Sequence, residues 1–152
     1  MSESLDASSA PPGRCPSCGN EIGLGTAPHA ADTPCPHCGK PMWFLQCEID
    51  HVEVIRFLPG RILKEGEFQA LREFLFAHSP SPHVVLNLND CQYFSDTTLA
   101  GFIVIYKKLT EARGKLKICC LRSPMLDVFK LARLDQLFDI YDDEKNALAS
   151  FH

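Results

Sequence analysis

The chain has 152 residues, 45% of them hydrophobic and 22% charged, with a formal net charge of −4. This apolar content suffices for a packed core and excludes a wholly disordered chain, while the acidic balance argues against a chain-wide grip on nucleic acid or anionic lipid. No apolar run reaches the roughly 18–20 residues that a membrane-spanning helix needs, and the opening MSESLDASSAPPG has no apolar centre of the kind a secretory signal requires, so a cytoplasmic protein without membrane contact is expected.

Residues 1–13 are small, polar and proline-rich and read as a disordered tail. Two Cys-Pro-x-Cys-Gly knuckles follow, Cys15-Pro16-Ser17-Cys18-Gly19 and Cys35-Pro36-His37-Cys38-Gly39, with sixteen residues between them. The two-residue gap lets both sulfurs of a pair converge on one ion. The glycine turns the chain, and N–H groups in the turn can bond the thiolates. Two such pairs predict one tetrahedral Zn2+ held by Cys15, Cys18, Cys35 and Cys38. Four sulfurs leave no position for water or substrate, so the expected ion is structural. The rival readings are two disulfides or a thioredoxin-like redox pair. The latter needs a βαβ context where a proline-rich stretch stands, and a second knuckle would be redundant for it. His29 and His37 are read as surface residues. These knuckles resemble those of zinc ribbons, over residues 14–45 alone.

Of the other cysteines, Cys47, Cys119 and Cys120 stand in apolar, strand-like runs, where a reduced thiol packs as a small hydrophobe. Cys91 stands in a loop beside Tyr93.

Met42 to Leu45 reads as the ribbon's last strand and runs without a linker into Gln46–Asp50, so the ribbon is expected to dock near the main domain's first strand. Over residues 46–152 strand and helix patterns alternate. His51–Leu58 has period two and ends at Pro59-Gly60. Glu67–Ala77 carries Phe68, Leu71, Phe74 and Leu75 at helical spacing, and Val84–Leu88 is a buried kind of strand. Thr97–Arg113 is the longest predicted helix, with Gly114 as its C′ stop. Lys115–Leu121 is a strand, and Ser123-Pro124 opens the next helix with an N-cap and an N1 proline, running through Leu134. Phe138–Tyr141 is a short strand and Glu144–Phe151 a last helix. This order predicts an α/β fold with right-handed βαβ crossovers and a mixed, mostly parallel sheet, its 44–49 strand pairing antiparallel with 51–58.

The informative loop runs from Asn87 to Gly101, leaving a buried strand at its C-terminal end and entering a helix, the edge where open α/β sheets place ligands. Ser95, Asp96, Thr97 and Thr98 cluster at the helix start. Capping explains such residues without any function. The functional reading makes a threonine hydroxyl here a phosphoryl acceptor, where the phosphate gains from the helix dipole yet adds almost two negative charges beside Asp96.

The order of elements together with this loop resembles the STAS domain, the fold of bacterial anti-sigma-factor antagonists, over residues 46–152. The similarity rests on the VVLNL strand and its acidic loop, and on Phe94-Ser95-Asp96-Thr97-Thr98, where the family has an apolar residue and then Asp-Ser-Ser. It continues through the 115–121 strand, the helix opened by Ser123-Pro124 and ending near Leu134-Asp135, and the 138–141 strand. The resemblance implies a non-enzymatic signalling protein whose unphosphorylated form binds an anti-sigma factor that is also a serine/threonine kinase. Phosphorylation of the first hydroxyl after the aspartate ends binding, and a phosphatase restores it. Thr97 matches that acceptor, with Thr98 as the alternative, and Asp96, Thr97 and Thr98 make the partner surface. Two departures stand out: threonine at the acceptor, and Leu99 where the family often has glycine, with Gly101 further on.

Two other classes are weighed against this one. A phosphorylation-independent interaction scaffold would use the same fold. A nucleic-acid-associated zinc-ribbon regulator is disfavoured, because residues 1–45 offer Arg14 and Lys40 against Glu3, Asp6, Glu21 and Asp32. An enzyme is disfavoured by the lack of a phosphate loop, a catalytic triad pattern or an open metal site. Asp142-Asp143-Glu144 reads as a solvated charge run, and the basic residues from Lys107 to Lys117 as helix-dipole complements.

Overall fold

The computed structural model describes residues 13–22, 33–58, 65–78, 80, 82–89 and 96–151. The predicted tail up to residue 12, His29, Cys91, Tyr93, Phe94 and Ser95 lie outside the described residues. The second knuckle sits between two short antiparallel strands, β1 (Thr33–Pro34) and β2 (Pro41–Met42). A five-stranded sheet follows in spatial order: β3 (Phe44–Ile49), β4 (Val52–Phe57), β5 (His83–Asn87), β6 (Lys115–Cys119) and β7 (Asp139–Tyr141). The described helices are α1 (Glu65–His78), α2 (Asp96–Glu111), α3 (Ser123–Leu131) and α4 (Glu144–Ala149).

The β3–β4 pair is an antiparallel hairpin with Phe44 opposite Phe57 and Ile49 opposite Val52. Asp50 and His51 turn it with positive φ of 51° and 67°. Two consecutive left-handed residues suit a tight turn whose twist matches that of the strands. From β4 onward every neighbour is parallel. Sequential parallel strands with right-handed crossovers bring α1, α2 and α3 to one face. There Leu71 and Leu75, Phe102 and Ile105, and Phe129 pack with Ile55, Phe57, Leu86 and Ile118. The short α4 covers the opposite face, setting Ala147 against Val54, Val85, Cys47 and Cys119. With both faces covered, the middle of β5 is a continuous apolar run, Val84-Val85-Leu86, with no exposure. The α/β, mostly parallel architecture and its antiparallel first pair match the sequence reading.

Element ends differ from it in instructive ways. The strand expected at 42–45 divides at Trp43, which bends the chain between β2 and β3 and stacks on Phe57 at 6.0 Å. Trp43 is thus a packing residue. Gly114 is not the left-handed stop of α2; Arg113 takes that conformation at φ 66°. The Arg113 N–H donates to the Thr110 carbonyl (3.0 Å) and the Gly114 N–H to the Leu109 carbonyl (2.7 Å), a Schellman pattern. Glycine is needed at 114 for another reason: a Cβ there would collide with the Pro82 carbonyl oxygen. Arg122, in extended conformation, is the N-cap of α3 in place of Ser123, and it makes no side-chain cap bond. That helix ends at Leu131, and the buried Leu134 belongs to the turn beyond, its N–H bonded to the Phe129 carbonyl at 2.8 Å.

Candidate functional site

The knuckles are built alike. Gly19 and Gly39 adopt φ of 77° and 79°, and each donates its N–H to the carbonyl of the first cysteine of its knuckle, at 2.9 and 2.8 Å. This folding back turns further N–H groups onto sulfur: Ser17 to Cys15 Sγ at 3.4 Å and His37 to Cys35 Sγ at 3.3 Å. The Asn20 side-chain amide donates to Cys18 Sγ at 3.4 Å. The four sulfurs of Cys15, Cys18, Cys35 and Cys38 lie within 4.8 Å of one another. Cys15 and Cys38 are 3.8 Å apart, Cys18 and Cys35 3.7 Å. A tetrahedron of Zn–S bonds of about 2.3 Å sets its sulfurs about 3.8 Å apart. The donor set therefore fits one Zn2+, and these separations are far from the roughly 2.05 Å of a disulfide. The thiols have unequal proton affinities. Burial pushes Cys15 up to about 11. Burial also resists ionisation of Cys35, but the Cys38 and His37 N–H groups and the neighbouring thiols bring it down to about 6. His37 is exposed.

The second candidate is the first turn of α2. β5 delivers the chain to it: Leu88 donates its N–H to the Cys119 carbonyl at 3.1 Å, and the Asn89 N–H bonds Asn87 Oδ1 at 2.9 Å. Asp96 is the first helical residue and is exposed, where its charge complements the helix dipole. Thr97 is exposed as well. Thr98 is not: its exposure is 0%. Position explains the contrast. Thr98, Gly101, Phe102, Ile105 and Leu109 form the buried stripe of α2 at spacings of three and four, and Thr97 lies about 100° off that stripe. The sequence expectation that Thr98 is an alternative acceptor and part of the partner surface is therefore corrected, because a kinase cannot reach a hydroxyl sealed under the helix.

Thr97 lines a cleft of about 250 Å³ between α1 and α2, together with Phe68, Arg72, Ala100, Gly101 and Val104. Gly101 sets the depth of this contact, since a Cβ there would run into the Phe68 ring. The shift of glycine from 99 to 101 thus has a packing consequence, and Leu99 packs at the margin of the core. Arg72 brings a cation to the same cleft as the Thr97 hydroxyl. Sequence reading missed Arg72 and Phe68, because only the α1–α2 packing brings them to Thr97. The two candidate sites are separate: the cysteines cluster with Ile22, Met42, Leu45 and Leu58, and Thr97 with the α1–α2 cleft.

A network at the C-terminal ends of the strands was also missed. Arg56 at the end of β4 donates to both Glu144 oxygens, Nε to Oε2 at 2.8 Å and Nη2 to Oε1 at 3.0 Å. Asn87 Nδ2 adds a bond to Oε2 at 2.6 Å. Glu144 is thus not part of a solvated run. Asp143 beside it is the N-cap of α4, accepting from the Asn146 N–H at 2.8 Å. Lys117 also departs from its reading as a helix-dipole complement: it is buried on β6 and paired with Asp139 at 2.9 Å.

The model of the STAS domain family matches residues 45–147. The chain belongs to the STAS domain family. Among curated proteins it is similar to an anti-sigma F factor antagonist from Paenibacillus polymyxa, 29% identical over 66 residues. That match covers 43% of this chain and only 56% of the relative. Solved structures carry the same fold. An anti-sigma-factor antagonist (STAS) domain protein from Planctomyces limnophilus superposes with a TM-score of 0.59 at 18% identity, covering 70% of this chain and 96% of that one. The Bacillus cell fate determinant SpoIIAA in its phosphorylated form gives 0.53 at 14% identity, covering 72% and 99%. Among the described residues, no helix is long and apolar enough to cross a membrane.

Proposed function

We propose that this STAS domain is a cytoplasmic, non-enzymatic partner switch of the anti-sigma-factor-antagonist kind, controlled by phosphorylation of Thr97. In its unmodified form it binds an anti-sigma factor that is also a serine/threonine kinase. Phosphoryl transfer to Thr97 ends that binding, and a phosphatase restores it. The observation that carries the reading is the exposed Thr97 at the first turn of α2, on the rim of a cleft, beside a Thr98 that is sealed in the core. The curated relative is named an anti-sigma F factor antagonist, and one structural neighbour is a phosphorylated form. Both support the reading.

The physical logic is electrostatic. A phosphothreonine at 97 adds about two negative charges and three acceptor oxygens to the partner face. The helix N-terminus and Arg72 favour the phosphate, and Asp96 opposes it. The helix therefore stays folded while its surface gains negative charge toward a partner.

Phosphopeptide mapping of the protein from its own cells, in growth and in stress, checks the modification directly. The peptide from Cys91 to Lys107 is expected to carry phosphate on Thr97 in a condition-dependent amount. Thr97→Glu is expected to weaken kinase-partner binding by at least about tenfold, some 1.4 kcal/mol, while Thr97→Ala retains it. Full affinity in Thr97→Glu, together with an unmodified peptide in every condition, would replace the switch with a phosphorylation-independent scaffold.

The second part of the proposal is one structural Zn2+ on Cys15, Cys18, Cys35 and Cys38, supported by sulfur spacings that match a tetrahedral shell.

A further inference from the structure

The switch and the zinc site leave Cys119 and Cys120 unused. Cys119 is the last residue of β6 and is fully buried. Cys120 leaves the strand with φ 68°, a conformation that a non-glycine residue rarely adopts, and is held there by its N–H bond to the Tyr141 carbonyl at 3.1 Å. The turn swings the second thiol back toward the first. Their sulfurs lie 3.1 Å apart, and Cys120 keeps partial solvent access. In a regular strand, adjacent side chains point to opposite faces. The left-handed residue at 120 is what brings these two sulfurs together.

We propose that Cys119 and Cys120 form an oxidisable vicinal dithiol, which a hydroperoxide converts into a disulfide between adjacent residues and which small thiols restore. The sulfur of Cys120 attacks a peroxide oxygen: an S–O bond forms, the O–O bond breaks, and water or an alcohol leaves with a proton. The sulfur of Cys119 then attacks the resulting sulfenic acid. The S–S bond forms, the S–O bond breaks, and the hydroxyl departs as water with the Cys119 proton. Two electrons pass from the thiols to the peroxide.

The asymmetry of the pair assigns these roles. The Cys119 thiol lowers the proton affinity of Cys120 through the bond between them, against the burial and the Glu144 and Asp143 charges that raise it. Cys119 is driven strongly upward, first by that same bond and then by burial. Cys120 is therefore the accessible nucleophile, since it keeps solvent access and loses its proton more readily than the fully buried Cys119. Cys119, whose sulfur lies 3.1 Å away, is placed to attack the sulfenic acid once it forms. The site adjoins the route to Thr97: the Cys119 carbonyl accepts from Leu88, and Arg122 Nε donates to the Asn89 carbonyl at 2.6 Å.

The test uses the purified full chain, exposed to hydrogen peroxide, alkylated with iodoacetamide and cut with trypsin. Cleavage after Lys117 and Arg122 releases Ile118–Arg122, whose cysteines are Cys119 and Cys120; the ribbon cysteines fall in the separate peptide 15–56. The expected Ile118–Arg122 peptide has lost two hydrogens and takes no alkyl group, and after dithiothreitol it takes two. In Cys119→Ala, Cys120 is expected to accumulate added oxygen instead. Two alkylated thiols after peroxide treatment of the native chain would overturn the proposal. So would oxygen adducts on Cys120 without loss of the two hydrogens, or equal oxygen uptake at Cys120 by native and Cys119→Ala chains.

Discussion

Glu144 shows how a single carboxylate joins two distant parts of this chain. Burial opposes its charge, but hydrogen bonds from Arg56 and Asn87 and the Arg56 charge outweigh burial, so its proton affinity falls below the ordinary 4.5. A carboxylate with a lowered native value stabilises the fold fully above its unfolded value, and loses that contribution as pH falls through the native one. Glu144→Gln is therefore expected to cost about 1–3 kcal/mol at pH 7, the scale of hydrogen bonds to a charged group. Urea unfolding should show the gap between variant and parent closing as the pH drops below 4.5. A gap unchanged at acid pH would mean that Glu144 contributes by shape and not by charge. Its role was illegible in the sequence because its partner Arg56 lies 88 residues away. Thr98 is the opposite case. Its three- and four-residue spacing to Gly101, Phe102, Ile105 and Leu109 was on the page, but tracing only apolar residues along the helix left a buried threonine out of the stripe.

At the scale of elements, the knuckles were legible because everything they need is local: two cysteines, the glycine that takes positive φ, and the N–H groups between. Helix ends were less so. Two left-handed caps fall on Arg113 and Arg133, at φ 66° and 61°, where the residue type gives no signal and the N–H of the next residue, Gly114 or Leu134, bonds back to the Leu109 or Phe129 carbonyl. The ribbon makes a sharp prediction. Structural Zn2+ of this kind binds with about 10–16 kcal/mol at neutral pH, far more than so small a unit gains from its own core. Cys15→Ser is expected to abolish stoichiometric zinc, read by atomic absorption, and to expose the amides of residues 14–22 and 33–42 to hydrogen exchange. The amides of β4, β5 and β6 should stay protected, because the core of α1, α2 and the sheet does not draw on the cysteines. Normal zinc content and unchanged protection in the variant would sink the metal site.

For the whole molecule, the question is what the ribbon does for the sheet. Helices seal both faces of the sheet, but β3 lies at its edge, and an open edge invites pairing with another chain. Arg14 meets that edge. Its N–H donates to the Gln46 carbonyl at 2.6 Å, and the Gln46 N–H to the Arg14 carbonyl at 3.0 Å. Leu45 and Leu58 complete the ribbon's small core with Ile22 and Met42, and Gly13 lies so close to Leu45 that a Cβ there would collide with its side chain. The absence of a linker after Leu45 made docking legible; the pairing partner was not, since Arg14 and Gln46 are brought together only by the folded knuckles. A chain lacking residues 1–42 should keep its helical and sheet signature but expose two leucines and an unpaired edge. The expected loss is about 2–4 kcal/mol of stability, accompanied by concentration-dependent self-association in sedimentation. If edge pairing causes that association, Leu45→Lys in the truncated chain should suppress it, because a charge on an exposed edge strand opposes a second strand. A truncated chain that stays monomeric and loses no stability would show that the ribbon is not an edge cover. Association that survives Leu45→Lys would move its cause from the β3 edge to some other newly exposed surface.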